Sequence, residues 1–146
     1  VYRDKGFDGK APSMLNFYTG TLNHSSAFIK KDLFNRYGLY DETLKIVSDW
    51  KWYLQVVGLN NEIVLYKDID VVKFDLNGIS STNKILDNKE RRKVLEELIP
   101  KNILVDYDKY AVFMRQINRV NRNPVAKKIF WLMDRILFKL EKIYTK

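Results

Sequence analysis

The chain has 146 residues, enough for one domain with a real core but not for two large ones. Its 46% hydrophobic and 30% charged content excludes a disordered chain, and its apolar runs, no longer than that from Ile129 to Met133, exclude a membrane span. The formal charge is +8, with no cysteine and one histidine, which excludes disulfide frameworks, thiolate zinc sites, cysteine nucleophiles and multi-histidine metal centres.

Residues 1–21 are polar and carry the turn formers Gly6, Gly9, Pro12 and Gly20, so they read as a loop. No secretory signal precedes them, and Val1 in place of Met points to a fragment with further residues upstream. Ser26 to Ile29 reads as a short strand. Lys30 to Tyr37 reads as a helix, with Leu33, Phe34 and Tyr37 at helical spacing and Gly38 as its stop. Ser48 reads as the cap of a helix running to about Val57, ended by Gly58 and the Asn60-Asn61 pair. Glu62 to Tyr66 and Ile69 to Phe74 read as strands from Ile63, Val64, Ile69, Val71 and Val72, and Asn77-Gly78 breaks the second. Lys89 to Leu98 reads as a helix stopped by Pro100, Tyr107 to about Arg119 as another, and Pro124 as the start of the last.

The charge is unevenly placed. Residues 111–146 hold nine Lys/Arg and two Asp/Glu, a net of +7, against +1 for the first 110. Within this tail Ile129, Leu132, Met133, Ile136, Leu137, Leu140, Ile143 and Tyr144 form one apolar stripe at helical spacing. Arg135, Lys139, Lys142 and Lys146 fall on one flank of the opposite face, with Trp131 and Phe138 beside them. Two readings stand. Either the helix packs on the body of the protein, or residues 125–146 make peripheral contact with a membrane, rings at headgroup depth and cations on anionic lipid.

Asp49 is the acidic residue with the clearest chemical use. A carboxylate in the first turn of a helix is favoured by the macrodipole and by free backbone N–H groups, which suits a general base. Trp50, Trp52 and Tyr53 surround it, and aromatic walls hold sugars near catalytic groups. The plainer reading is an ordinary first-turn acid beside aromatics that pack a core.

The segment RYGLYDETLKIVSDWKWYL, residues 36–54, resembles family-2 glycosyltransferases of the GT-A fold. In that family a helix ends at a glycine, an aromatic-Asp-Glu step follows, and an acidic motif opens the next helix. Gly38, Tyr40, Asp41 and Glu42 match the first part. Asp49 matches the second residue of the Glu-Asp motif, the catalytic base, while Ser48 stands where Glu is commoner. His24 to Ile29 resembles the segment entering the acceptor side, and Asp75 to Ser80 its downstream Gly-x-Ser turn, so the likeness covers about residues 22–82.

The resemblance implies an α/β fold: residues 1–100 as the C-terminal half of a GT-A (Rossmann-like) catalytic domain with a small sheet, and 101–146 as a basic amphipathic helical tail. It implies an inverting enzyme that transfers a sugar from a nucleotide sugar to a saccharide or lipid-linked acceptor hydroxyl, in bacterial surface-polysaccharide synthesis. The setting implied is cytoplasmic, on the inner face of the membrane. Asp49 is the implied base, with His24, Trp50, Trp52, Gly78 and Ser80 as substrate-binding residues. A Mg or Mn ion is implied for the parent enzyme, on ligands outside this chain, and the chain alone is expected to be inactive. For His24, hydrogen bonding to substrate, a third metal contact and a structural role all stand.

Asp68-Ile69-Asp70 mimics the family's metal-binding Asp-x-Asp motif but lies downstream of Asp49 rather than upstream, which argues against metal. Residues 78–82 read as a turn capping the next helix, and Arg91-Arg92-Lys93 as a solvated helix face. No Walker-type loop or dinucleotide fingerprint occurs. The competing reading is a non-enzymatic module whose basic tail binds nucleic acid or a protein partner, although no nucleic-acid motif accompanies the charge.

Overall fold

A computed structural model of the chain describes residues 7, 10–72, 78 and 82–144. It divides into two compact units, residues 1–104 and 105–146. The centre of the first is helix α3 (Ser48–Tyr53), which continues as a π-helical stretch, Leu54–Leu59. Trp50, Trp52, Tyr53, Leu54, Val56 and Val57 are all buried along it, because this run is apolar on nearly every side.

Three elements cover that core. Helix α1 (Met14–Thr19) lies within the segment expected to be loop, and Phe17 drives it inward with no exposed surface. α1 crosses the π-helical stretch at Gly58, where a Cβ would meet Phe17 Cδ2 at 3.2 Å and Met14 Sδ at 3.3 Å. Gly58 is therefore a close-approach residue rather than a helix stop. The stop falls at Asn60 and Asn61, the latter with φ +58°. Helix α2 (Lys31–Tyr37) ends at Gly38 with φ +81°, in the left-handed region that glycine tolerates. Helix α4 (Lys84–Leu98) contributes Val94 and Leu95, and its Asn83 cap accepts the Leu86 N–H at 3.1 Å.

Helix α5 (Lys101–Arg122) starts directly after Pro100, earlier than its apolar spacing suggested, and the division between the units falls inside it. Leu104 completes the first unit's core. Helix α6 (Pro124–Tyr144) begins with proline at its first position, where Asn123 Oδ1 accepts the Val125 and Ala126 N–H groups at 3.0 and 3.1 Å.

The expected α/β architecture with a small sheet is corrected: among the described residues every regular element is helical, with no strand. The region expected as a strand over Ser26 to Ile29 instead opens with a 3₁₀ turn, His24–Ser26, closed by Ala27 N–H to His24 carbonyl at 3.1 Å. Residues 61–72 carry the β-branched run but have no ladder partner among the described residues. β propensity expresses packing on a paired, pleated surface, and none is offered here. Ile63 is 84% exposed and Leu65 78%, while Val64 packs on the core. Phe74, the end of the second expected strand, lies outside the described residues.

The Tyr53 hydroxyl is buried with no hydrogen-bond partner among the described residues, and burial pushes its phenol above the usual range. An unpaired buried hydroxyl costs about 1–3 kcal/mol. Tyr53→Phe is therefore expected to leave stability unchanged or raise it in urea unfolding. A loss of more than about 1 kcal/mol shows instead that the hydroxyl is bonded.

Candidate active site

Loop 39–47 carries the chain from α2 into α3, and polar contacts fix its path. Asp41 accepts the Thr43 N–H at 3.0 Å and its hydroxyl at 2.6 Å, an Asx turn. Lys51 Nζ bridges Asp41 at 2.9 Å and Glu97 at 2.8 Å. The Thr43 hydroxyl and the Lys51 ammonium together hold the Asp41 carboxyl far below the usual carboxylate range. Ser48 is the first helical residue rather than the cap, and its hydroxyl donates to the Asp41 carbonyl at 2.7 Å.

Glu90 of α4 completes the clamp. It is a buried charged residue, and its carboxylate accepts the N–H groups of Lys45 at 2.9 Å, Ile46 at 2.9 Å and Val47 at 3.3 Å. Burial pushes its carboxyl upward, but the three donors outweigh that, and the net shift is downward.

The clamped loop delivers Asp49 in the first turn of α3, facing the 3₁₀ turn. Asp49 Oδ2 lies 2.8 Å from His24 Nδ1, and Oδ1 accepts the Trp50 N–H at 2.7 Å. The Asp49 side chain is 25% exposed and that of His24 57%. His24 is held by its own turn, where Asn23 Oδ1 accepts the Ser25 N–H at 3.1 Å. Trp50 is buried, and its indole N–H donates to the Phe17 carbonyl at 2.9 Å. The Arg91 guanidinium lies over the Trp50 ring, 4.5 Å from its centroid, with Nε on Asp87 at 3.1 Å and Nη1 on the Gly20 carbonyl at 3.3 Å.

These groups surround an open cavity of about 270 Å³, lined by Asn23, His24, Val47, Asp49, Trp50, Asp87 and Arg91 among others. That is close to the lower size of small-molecule pockets. Of the residues expected to form a site, His24, Asp49 and Trp50 meet here. Trp52 does not line the cavity; it is buried against Phe34 at 4.8 Å between centroids, and its indole N–H donates to the Gly38 carbonyl at 2.9 Å. Gly78 is exposed and does not line it either, and Ser80 lies outside the described residues.

Glu90, Asp87 and Arg91 were not identified from sequence. A signal for Glu90 exists: it falls on the stripe Leu86, Glu90, Val94, Leu98, where a charge among apolar residues needs internal partners. Arg91 belongs to the run read as a solvated face, yet it folds over Trp50.

Both carboxylates of the cavity already have partners, Asp49 in His24 and Asp87 in Arg91. Among the described residues no group of three or more His, Asp or Glu side chains gathers. Comparisons of the chain with protein-family models, curated proteins and solved structures give no match.

Glu90 and Asp41 both bind protons more weakly in the folded chain than in the unfolded one. Their contribution is complete above about pH 5 and is lost as pH falls through the folded values. Urea unfolding is expected to show level stability between about pH 5 and 8, with a decline towards pH 3. Glu90→Gln, which sets an amide donor against backbone donors, is expected to cost about 1–3 kcal/mol at neutral pH and to flatten the acid limb. Equal stability in the variant contradicts the clamp.

Proposed function

We propose that this chain is the acceptor-side part of an inverting glycosyltransferase of the family-2 type, with Asp49 as its base. The reading rests on the segment 36–54 and on one observation: Asp49 sits at the wall of a cavity, one-quarter exposed and paired with His24 at 2.8 Å.

The chemistry follows from that pair. An acceptor hydroxyl entering the cavity hydrogen-bonds to a free lone pair of the Asp49 carboxylate. As the hydroxyl oxygen bonds to the anomeric carbon, its proton passes to Asp49, and the bond from that carbon to the diphosphate oxygen breaks on the opposite face. Inversion results from this single displacement. His24 Nδ1 keeps the carboxylate aimed, and the Trp50 edge and Arg91 close the wall. The sugar nucleotide and any metal on its diphosphate are held by residues outside this chain, and nucleotide sugars set the reaction in the cytoplasm.

A second reading has its own support. His24 is more exposed than Asp49, and its Nε2 lies 3.5 Å from Ser25 Oγ, a long contact. In that variant Nε2 takes the proton and Asp49 orients the ring.

The test uses the full-length enzyme. Asp49→Asn is expected to lower kcat by about 10²–10⁴ while nucleotide-sugar affinity changes little. His24→Ala is expected to cost about tenfold if it only aims the carboxylate, and as much as Asp49→Asn if Nε2 is the base. Near-normal turnover in Asp49→Asn contradicts both.

A further inference from the structure

We propose that α6 is a bilayer-binding helix that lies on an anionic lipid surface, apolar face in the acyl boundary and basic flank on the headgroups. The inference concerns α6 alone and does not depend on the sugar-transfer reading.

The second unit has no core: no described side chain from 105 to 142 is buried. Along α6 the residues Val125, Ile129, Leu132, Met133, Ile136, Leu137 and Leu140 are all exposed. At about 100° per residue they cover roughly 140° of the helix circumference, and Phe130 extends one margin to about 160°. That width decides against a two-helix seam, which buries a narrower stripe of first and fourth heptad positions. The helix is not a span either, since no described helix is long and apolar enough to cross a membrane.

The rest of the surface names the partner. Lys128, Arg135, Lys139 and Lys142 line one border of the apolar face, while Asp134 and Glu141 lie towards the other. A basic flank beside a wide apolar face complements anionic headgroups above acyl chains. Trp131 and Phe138, 49% and 58% exposed, are set seven apart on the cationic side. The Lys142 ammonium lies 4.5 Å from the Phe138 ring centroid. Both rings project from the face opposite the apolar stripe, so the lipid contact rests on the stripe and its basic border and not on these aromatics.

The test is flotation of the full chain with phosphatidylcholine vesicles, alone or with about one-third phosphatidylglycerol. The chain is expected to float with the anionic vesicles at low salt, at least about tenfold more tightly than with neutral ones, and to detach as salt rises. Met133→Asp/Ile136→Asp is expected to abolish binding. Arg135→Glu/Lys139→Glu/Lys142→Glu, which keeps the apolar face, is expected to weaken it by more than about tenfold. All five positions are exposed, and circular dichroism checks that each variant keeps its helices. The proposal is overturned by absence of flotation on anionic vesicles, by equal binding to neutral ones, or by undiminished binding of the charge-reversed variant. It is also overturned if the chain ignores vesicles and either self-associates through Met133 and Ile136 or binds a nucleic-acid duplex instead.

Discussion

One buried carboxylate, Glu90, decides where α3 begins. Three successive backbone N–H groups at 45–47 point towards the interior and meet both of its oxygens. A carboxylate at that depth is tolerable only with its lone pairs filled, and buried N–H groups are tolerable only with acceptors. Each need answers the other. Asp41, Lys51 and Glu97 brace the same loop from its other end. The start of α3 is thereby fixed against α4, and the carboxylate at position 49 comes to rest against the imidazole of His24 rather than in open solvent.

That arrangement was partly legible in the residues. α2 and its glycine stop, the helix opening near Ser48, and the proline that starts α6 were all readable, because each depends on local backbone chemistry. His24, Asp49 and Trp50 were singled out and do meet at one cavity. The sheet failed because β-branched residues signal a strand only where a neighbour supplies the ladder, and 61–72 has none among the described residues. α1 was missed because one aromatic, Phe17, and a distant glycine, Gly58, hold it in place, a contact that no local spacing reveals. Glu90 and Arg91 were missed for a related reason. Both are charged helix residues whose partners are backbone groups and a ring far away in sequence.

The two units obey different physics. In the first, aromatic and aliphatic side chains fill a core around the π-helical stretch, and polar contacts set one short loop. In the second, sequence spacing alone gives helix faces, and no interior forms. A helix of this kind is stabilised chiefly by its own capping and by whatever covers its apolar side. The charge is divided unevenly as well, with most of the net positive charge in residues 111–146.

The single histidine makes the central geometry directly measurable. A long-range nitrogen–proton NMR spectrum of the ring reports which nitrogen carries the proton and what it bonds, with no overlap from other histidines. The expected result is a protonated, hydrogen-bonded Nδ1 whose resonance moves in Asp49→Asn. A ring with Nδ1 bare, or one indifferent to Asp49→Asn, contradicts the pairing and with it the assignment of Asp49 as the base.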